Sequence, residues 1–235
     1  MTLISKLLVI AGKDNFELDS HISTAYIAHL CWKYGWMMVR GKFLALFNQG
    51  IDFSCFIGSH VKLIEKRYLK IGKKAKIHDG VKIDALSTNG VWVGNQVVLG
   101  HHTVIESTGG LAYIGKGMKI GDRTSFGNNC FFGAAGGIEI GEDVIAGQFI
   151  RFHSENHNYN DLSTLIKDQG VSHKGIKIGN NCWIGSGAVF LDGAEIGDGC
   201  VVAANAVVSK KFENNSVIGG VPAKLLKYRG VKKYD

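Results

Sequence analysis

The chain has 235 residues, 46% of them hydrophobic and 20% charged, with a net charge of +7. That composition supports a packed core and excludes a disordered chain, and a single Pro beside 32 Gly points to many tight corners. Five Cys without a CxxC pair make no disulfide framework and fit a reducing compartment, and no run of about 18 apolar residues offers a spanning helix.

The first residues, MTLISKLLVIAGKDN, hold a short apolar run behind one Lys and no small-residue cleavage site, so no secretory leader is expected. From Asp19 to Phe47 the pattern predicts a helix whose only full charges are Lys33, Arg40 and Lys42. Residues 20–47 of such a helix either pack on the adjoining domain or lie at a membrane surface.

Beyond this helix one aliphatic or aromatic residue recurs every six positions. The anchors are Ile71, Ile77 and Ile83; Val93, Leu99 and Ile105; Ile114, Ile120, Phe126 and Phe132; then Ile140, Ala146 and Phe152. A final run holds Ile178, Ile184, Phe190, Ile196, Val202 and Val208, with Gly after the first, second and fourth. A period of six is neither helix nor isolated strand; it marks a structural repeat. Four positions past each anchor the residue is small or β-branched, as at Ala75, Val97, Cys130, Ala188 and Ala206. One large and one small inward residue per six describe one side of a prism, and three sides stack into an all-β solenoid, a parallel β-helix of roughly seven to eight coils. Gly, Asn and Asp one and two positions past the anchors, as in Gly179-Asn180, are expected to supply positive φ at the corners. The domains expected are a helical segment at 1–50, the solenoid at 51–220 and a basic cap at 221–235, where Pro222 opens a turn and a closing helix or strand.

Between Phe152 and Ile178 the repeat is interrupted by a long polar loop, 153–177, which carries His153, His157 and His173. Long loops in compact domains are usually functional or disordered. Cys55, Cys130, Cys182 and Cys200 occupy the small inward slot and read as core fillers. His101 and His102 read as exposed corner residues. His153 and His157 are four apart but off any helix, which denies them the i, i+4 metal geometry. His157 is by itself a solvated loop residue or a group at the root of a site. Trp183 projects outward, as a subunit contact or a ligand platform. The basic tail, with seven Lys and Arg against Glu213 and Asp235 from Ser209 onward, suits nucleic acid, anionic lipid or cofactor phosphates. No aromatic RNA motif or helix-turn-helix pattern supports nucleic acid.

The run IGNNCWIGSGAVFLDGAEIGDGCVVAANAVVSK, followed by IGGVPAK, closely resembles the hexapeptide-repeat acyltransferases. Within them it is similar to the galactoside and maltose O-acetyltransferases and to bacterial capsule and lipopolysaccharide O-acetyltransferases, from near Ile57 to Lys227. The resemblance implies a left-handed β-helix, although the general rule for parallel crossovers gives the opposite hand. It also implies a homotrimer with active sites between subunits and acetyl-CoA as co-substrate, with no metal and no nucleic acid.

By that resemblance His157, five residues past Phe152, is the general base that takes a proton from a sugar hydroxyl, and His153 is a bystander or acceptor contact. Trp183, Ser186 and Ala204 would border the thioester and pantetheine, with Ser209, Lys210, Lys224 and Lys227 near the far end of coenzyme A. The family's acceptor-contacting Asn and Asp fall at Gly127 and Ala135, with Asn128 or Asn129 as candidate substitutes. The implied acceptor is a sugar of an envelope-glycan precursor, handled in the cytoplasm or at the inner face of the membrane. An amino-sugar amine is the alternative acceptor. A γ-carbonic-anhydrase-like lyase would need a third His at a matching coil position, which is not found. A non-catalytic trimeric scaffold would have lost the site residues, which are retained.

Overall fold

The computed structural model describes residues 19, 21–110 and 113–230. The leader reading on 1–15 and the tail residues Lys232, Lys233 and Asp235 lie outside these. Two compact units meet in sequence at Trp36/Met37. Helix α1 spans Thr24–Leu46, shorter at its start than the expected Asp19–Phe47. Within the first unit the Trp32 and Trp36 rings meet edge to face at 5.6 Å. In the second unit, Met37, Gly41 and Ala45 form a narrow buried stripe at four-residue spacing. A Cβ on Gly41 would collide with the Cys55 carbonyl, and Arg40 Nε donates to the Ile57 carbonyl at 2.9 Å. This half of the helix therefore sits directly on the first coil.

The rest of the second unit is wound through three parallel sheets, with every third strand joining the same sheet. The first face starts at Phe56–Ile57 and Lys76–Ile77, the second at Lys62–Ile64 and Lys82–Asp84, the third at Leu69–Ile71 and Val91–Val93. The first sheet has nine strands and the others seven each. Registers stack the anchors in columns: Ile57, Ile77, Leu99, Phe126 and Ala146 on the first face are consecutive partners. On the second face Phe132, Phe152 and Phe190 are fully buried and stack at 4.9 and 4.8 Å. The outward column of the third face reads Trp92, Lys119, Glu139, Lys177, Glu195 and Lys211, so its opposite charges are cross-strand neighbours.

The corners correct two expectations. Positive φ falls on the third residue past the anchor, not the first or second: Lys74, Gln96, Arg123, Asp143 and Asn181 lie between 52° and 58°. Gly at the first position answers a different demand, close approach. A Cβ on Gly179 would stand 2.5 Å from the Gly197 carbonyl carbon, and one on Gly121 would stand 2.6 Å from that of Gly141. At the second position the side chain caps the coil below it. Asn95 Oδ1 accepts from Lys73 N–H, Asp122 Oδ1 from Asn95 N–H, and Asp198 Oδ1 from Asn180 N–H, at 2.6–2.8 Å.

Gly follows the anchor at the third-face corners (Gly72, Gly94, Gly121, Gly141, Gly179, Gly197) and at most first-face corners, but at the second-face corner only at Gly133. That open corner is where the chain leaves the coil, after Glu106 and again after His153. Ile114 lies in the first of these excursions, 42% exposed, and is not an anchor. The small inward slot holds Cys55, Cys130, Cys182 and Cys200, all buried, and burial pushes the Cys55 thiol up to about 12. After Pro222 the chain returns as strand Lys224–Tyr228, antiparallel to Ser216–Gly219, which settles the closing element as a strand.

The two kinds of corner demand are separable by mutation. Gly179→Ala should lower unfolding free energy by about 1–3 kcal/mol, because backbone blocks its Cβ. Gln96→Gly, at φ 57°, should change it by less than about 1 kcal/mol, since relief of the left-handed conformation offsets added unfolded-state freedom. Denaturant midpoints measure both.

Candidate active site

The long excursion runs over 154–175, since His153 still belongs to strand Arg151–His153. Its path is fixed by polar clamps. Ser154, fully buried, donates through Oγ to the Gly133 carbonyl at 2.7 Å and accepts from Gly136 N–H at 2.9 Å. Glu155 Oε2 meets His173 Nε2 at 2.7 Å, tying the outgoing limb to the returning one. The His173 ring stacks on Tyr113 at 4.9 Å, drawing in the other excursion from the same corner. Asp192, 6% exposed, accepts from Lys174 and Gly175 N–H groups at 2.7–3.0 Å and pins the return.

Between the clamps, Asn156–His157 pairs antiparallel with Val171–Ser172. The loop tip is cross-linked by Gln169, whose Nε2 donates to the Asp161 and Thr164 carbonyls at 2.7 and 2.8 Å. Hydroxyl groups of Ser163 and Thr164 donate to Asp161 and pull its carboxyl down to about 2. His157 is exposed on this hairpin, and its ring makes no side-chain hydrogen bond among the described residues. His153 differs. It faces outward from the second sheet, 5.5 Å from the Phe131 ring, and burial, with Arg151 beside it, holds its pKa below the ordinary imidazole value.

The remaining candidates fall on particular edges. Trp183 projects outward from the first face, 60% exposed, beside Ile145. Ser186 and Ala204 occupy the same corner in successive coils, between the first and second faces; Ser186 Oγ accepts from Gln148 N–H at 3.3 Å. Asn128 belongs to that edge too, and its Oδ1 accepts from His101 N–H at 2.9 Å, while Asn129 takes the left-handed turn position at φ 57°. Ser209 and Lys210 lie on the open corner, after strand Val207–Val208, and Lys224 and Lys227 lie on the closing strand of the first sheet. The structure thus gathers Trp183, Ser186 and Ala204, but His157 leaves from a different edge of the prism. A Cβ at Gly127 would stand 2.8 Å from Gln148 N and the Gly147 carbonyl carbon, so that corner admits no Asn. Ala135 is buried. Among the described residues no group of three or more His, Cys, Asp or Glu is placed to hold a metal ion. Sequence reading missed Glu155, Gln169 and Asp192; an acidic residue flanking a polar loop was the available signal.

Residues 175–210 match the family described as bacterial transferase hexapeptide, six repeats. Over those residues the chain is similar to the hexapeptide repeat of the bacterial transferases. It is 29% identical over 167 residues to a Mycobacterium tuberculosis protein named "Probable acetyltransferase Rv3034c", covering 71% of this chain and 52% of that one. An Escherichia coli protein named "Putative lipopolysaccharide biosynthesis O-acetyl transferase WbbJ" is 31% identical over 97 residues, 38% of this chain and 50% of that one. The chain spans about half the length of these curated relatives. A solved Vibrio cholerae hexapeptide-repeat acetyltransferase, in complex with acetyl coenzyme A, shares the fold at TM-score 0.52 and 23% identity, over 97% of this chain and 98% of that one.

Glu155→Ala should free the hairpin while leaving the coils intact. Amide exchange over 156–172 should accelerate about tenfold or more with little change in melting temperature; unchanged exchange would show that the Glu155–His173 hydrogen bond does not hold the loop. For His153 the depressed folded pKa contributes stability that is present above the unfolded value of about 6.5 and lost as pH falls through the folded value. His153→Gln should therefore flatten the fall in unfolding midpoint below about pH 6.5.

Proposed function

We propose that the chain transfers an acetyl group from acetyl-CoA to a hydroxyl of a sugar in an envelope-glycan precursor, with His157 as general base. The observation that carries this reading is His157 itself: an exposed imidazole on a hairpin clamped at both feet beside the hexapeptide coil. The names of the mycobacterial and E. coli relatives support acetyl transfer, and the latter supports a glycan hydroxyl. In this reading His157 removes the hydroxyl proton as the oxygen attacks the thioester carbonyl. The tetrahedral oxyanion collapses with cleavage of the C–S bond, and the imidazolium returns the proton to the leaving thiolate, giving the ester and free coenzyme A.

The coil is read as left-handed and the working unit as a homotrimer. His157 and the Ser186–Ala204 corner lie on different edges of one prism, and a neighbouring copy can bring two such edges to one cleft. Trp183, Ser186 and Ala204 would line the pantetheine arm, and Ser209, Lys210, Lys224 and Lys227 would meet the phosphates. The division into a helical segment at 1–50, a coil domain at 51–220 and a basic cap at 221–235 belongs to the same reading. Acetyl-CoA and four buried free thiols favour a cytoplasmic setting.

His157→Ala should reduce acetyl transfer about 100-fold or more while coenzyme A binding, measured by calorimetry, is retained. Transfer near the wild-type rate would overturn the mechanism, and faster turnover of amino-sugar amines than of hydroxyls would replace the acceptor.

A further inference from the structure

The first coil and the helix seated on it carry a surface that acetyl transfer does not use. Phe43 and Leu46 on the helix, and Phe47 and Phe53 beyond its end, are 56–74% exposed. Phe43 and Phe47 meet edge to face at 5.3 Å, touching each other where both could have been buried. Solvent-facing aromatic residues in such a cluster mark a contact surface. Leu46 and Phe53 border a shallow groove at this end of the coil, and Lys73 lines the same groove.

Charge selects the occupant. No Asp or Glu occurs between Ser20 and Ile51, and from Met37 to Lys82 the sequence holds ten Lys and Arg against Asp52, Glu65 and Asp79, with Lys82 paired to Glu106 at 2.8 Å. That local surplus equals the net charge of the whole chain. Lys66, Arg67, Lys73 and Lys74 are exposed; among the described residues Arg67 pairs with Glu65 at 2.8 Å, Asp52 acts on Lys73 without a close ion pair, and Lys66 and Lys74 have no carboxylate in salt-bridge contact. The third face behaves differently, since Lys and Glu alternate along it. Exposed Phe and Leu beside Lys73 and Lys74 suit an anionic bilayer, where rings enter the headgroup boundary and cations meet lipid phosphates. No described helix is long and apolar enough to cross a membrane, so contact would be at the surface.

We propose that the helix end and first coil, centred on Phe43, Phe47, Phe53, Lys73 and Lys74, dock the protein on an anionic membrane surface. The proposal is independent of the acetyl-transfer reading.

Flotation of the full chain with vesicles tests it. The protein should float with phosphatidylglycerol–phosphatidylcholine vesicles, weakly with phosphatidylcholine alone, and less as salt is raised. Lys73→Glu/Lys74→Glu should lower partitioning about tenfold or more, and Phe43→Ser/Phe47→Ser should do likewise, with circular dichroism unchanged. Failure of the wild type to float would overturn the proposal, as would equal binding to both vesicles. It would also fall if Phe43→Ser/Phe47→Ser altered the oligomeric mass by light scattering without altering flotation, which would make the patch a subunit contact. Preferential binding of an oligonucleotide over vesicles would overturn it as well.

Discussion

Successive coils approach so closely at two of the three corners that the position after most anchors there is Gly, with almost no room for a side chain. At the third-face corner a Cβ on Gly179 would lie 2.5 Å from the next coil's backbone, and the same demand recurs from Gly72 to Gly197. The inter-strand hydrogen bonds fix the coil spacing, and glycine lets the corners close to it. With the corners in register, the anchors stack in columns, the Phe rings lie nearly parallel, and Asn or Asp two positions past the anchor reaches a backbone N–H one coil below. A hydrogen bond of this kind contributes only about 1 kcal/mol, but repetition along an edge makes the corner a continuous structural element.

The corner after the second face escapes the constraint. Because the chain need not turn tightly after the second face, it can leave the coil without breaking a column. Both long excursions start at this corner, and Tyr113 from one stacks on His173 of the other. A loop without a core would bear its ordering entropy unaided. Here a buried serine, the Glu155–His173 hydrogen bond and a buried carboxylate hold its feet, and Gln169 braces its tip. The scaffold thus supplies a fixed base from which His157 is presented.

Charge divides by location as well. Along the third face it alternates and is neutralised between neighbouring strands, whereas at the first coil it accumulates beside exposed aromatic side chains. Equal numbers of like residues therefore have different consequences. A Lys opposite a Glu in the ladder is a structural partner, and a Lys at the coil's open end is a potential contact to an anion.

The order of residues alone carried the repeat, the inward columns, the burial of four cysteines, the place of the long interruption and the outward placement of Trp183. Each is a matter of phase, and a six-residue period writes phase directly into the chain. Even the open corner was there, since the scarcity of Gly after second-face anchors is visible in the residues. Packing in three dimensions was needed to explain why the corner glycines are there, which residues take positive φ, and that Ile114 lies outside the coil. The partnerships of Glu155 with His173 and of Asp192 with Lys174 also needed it, each spanning 18 residues. The physical reason is that a close approach, a clamp or an edge shared between coils joins residues distant in sequence, and periodicity reports which way a side chain faces but not what it meets there.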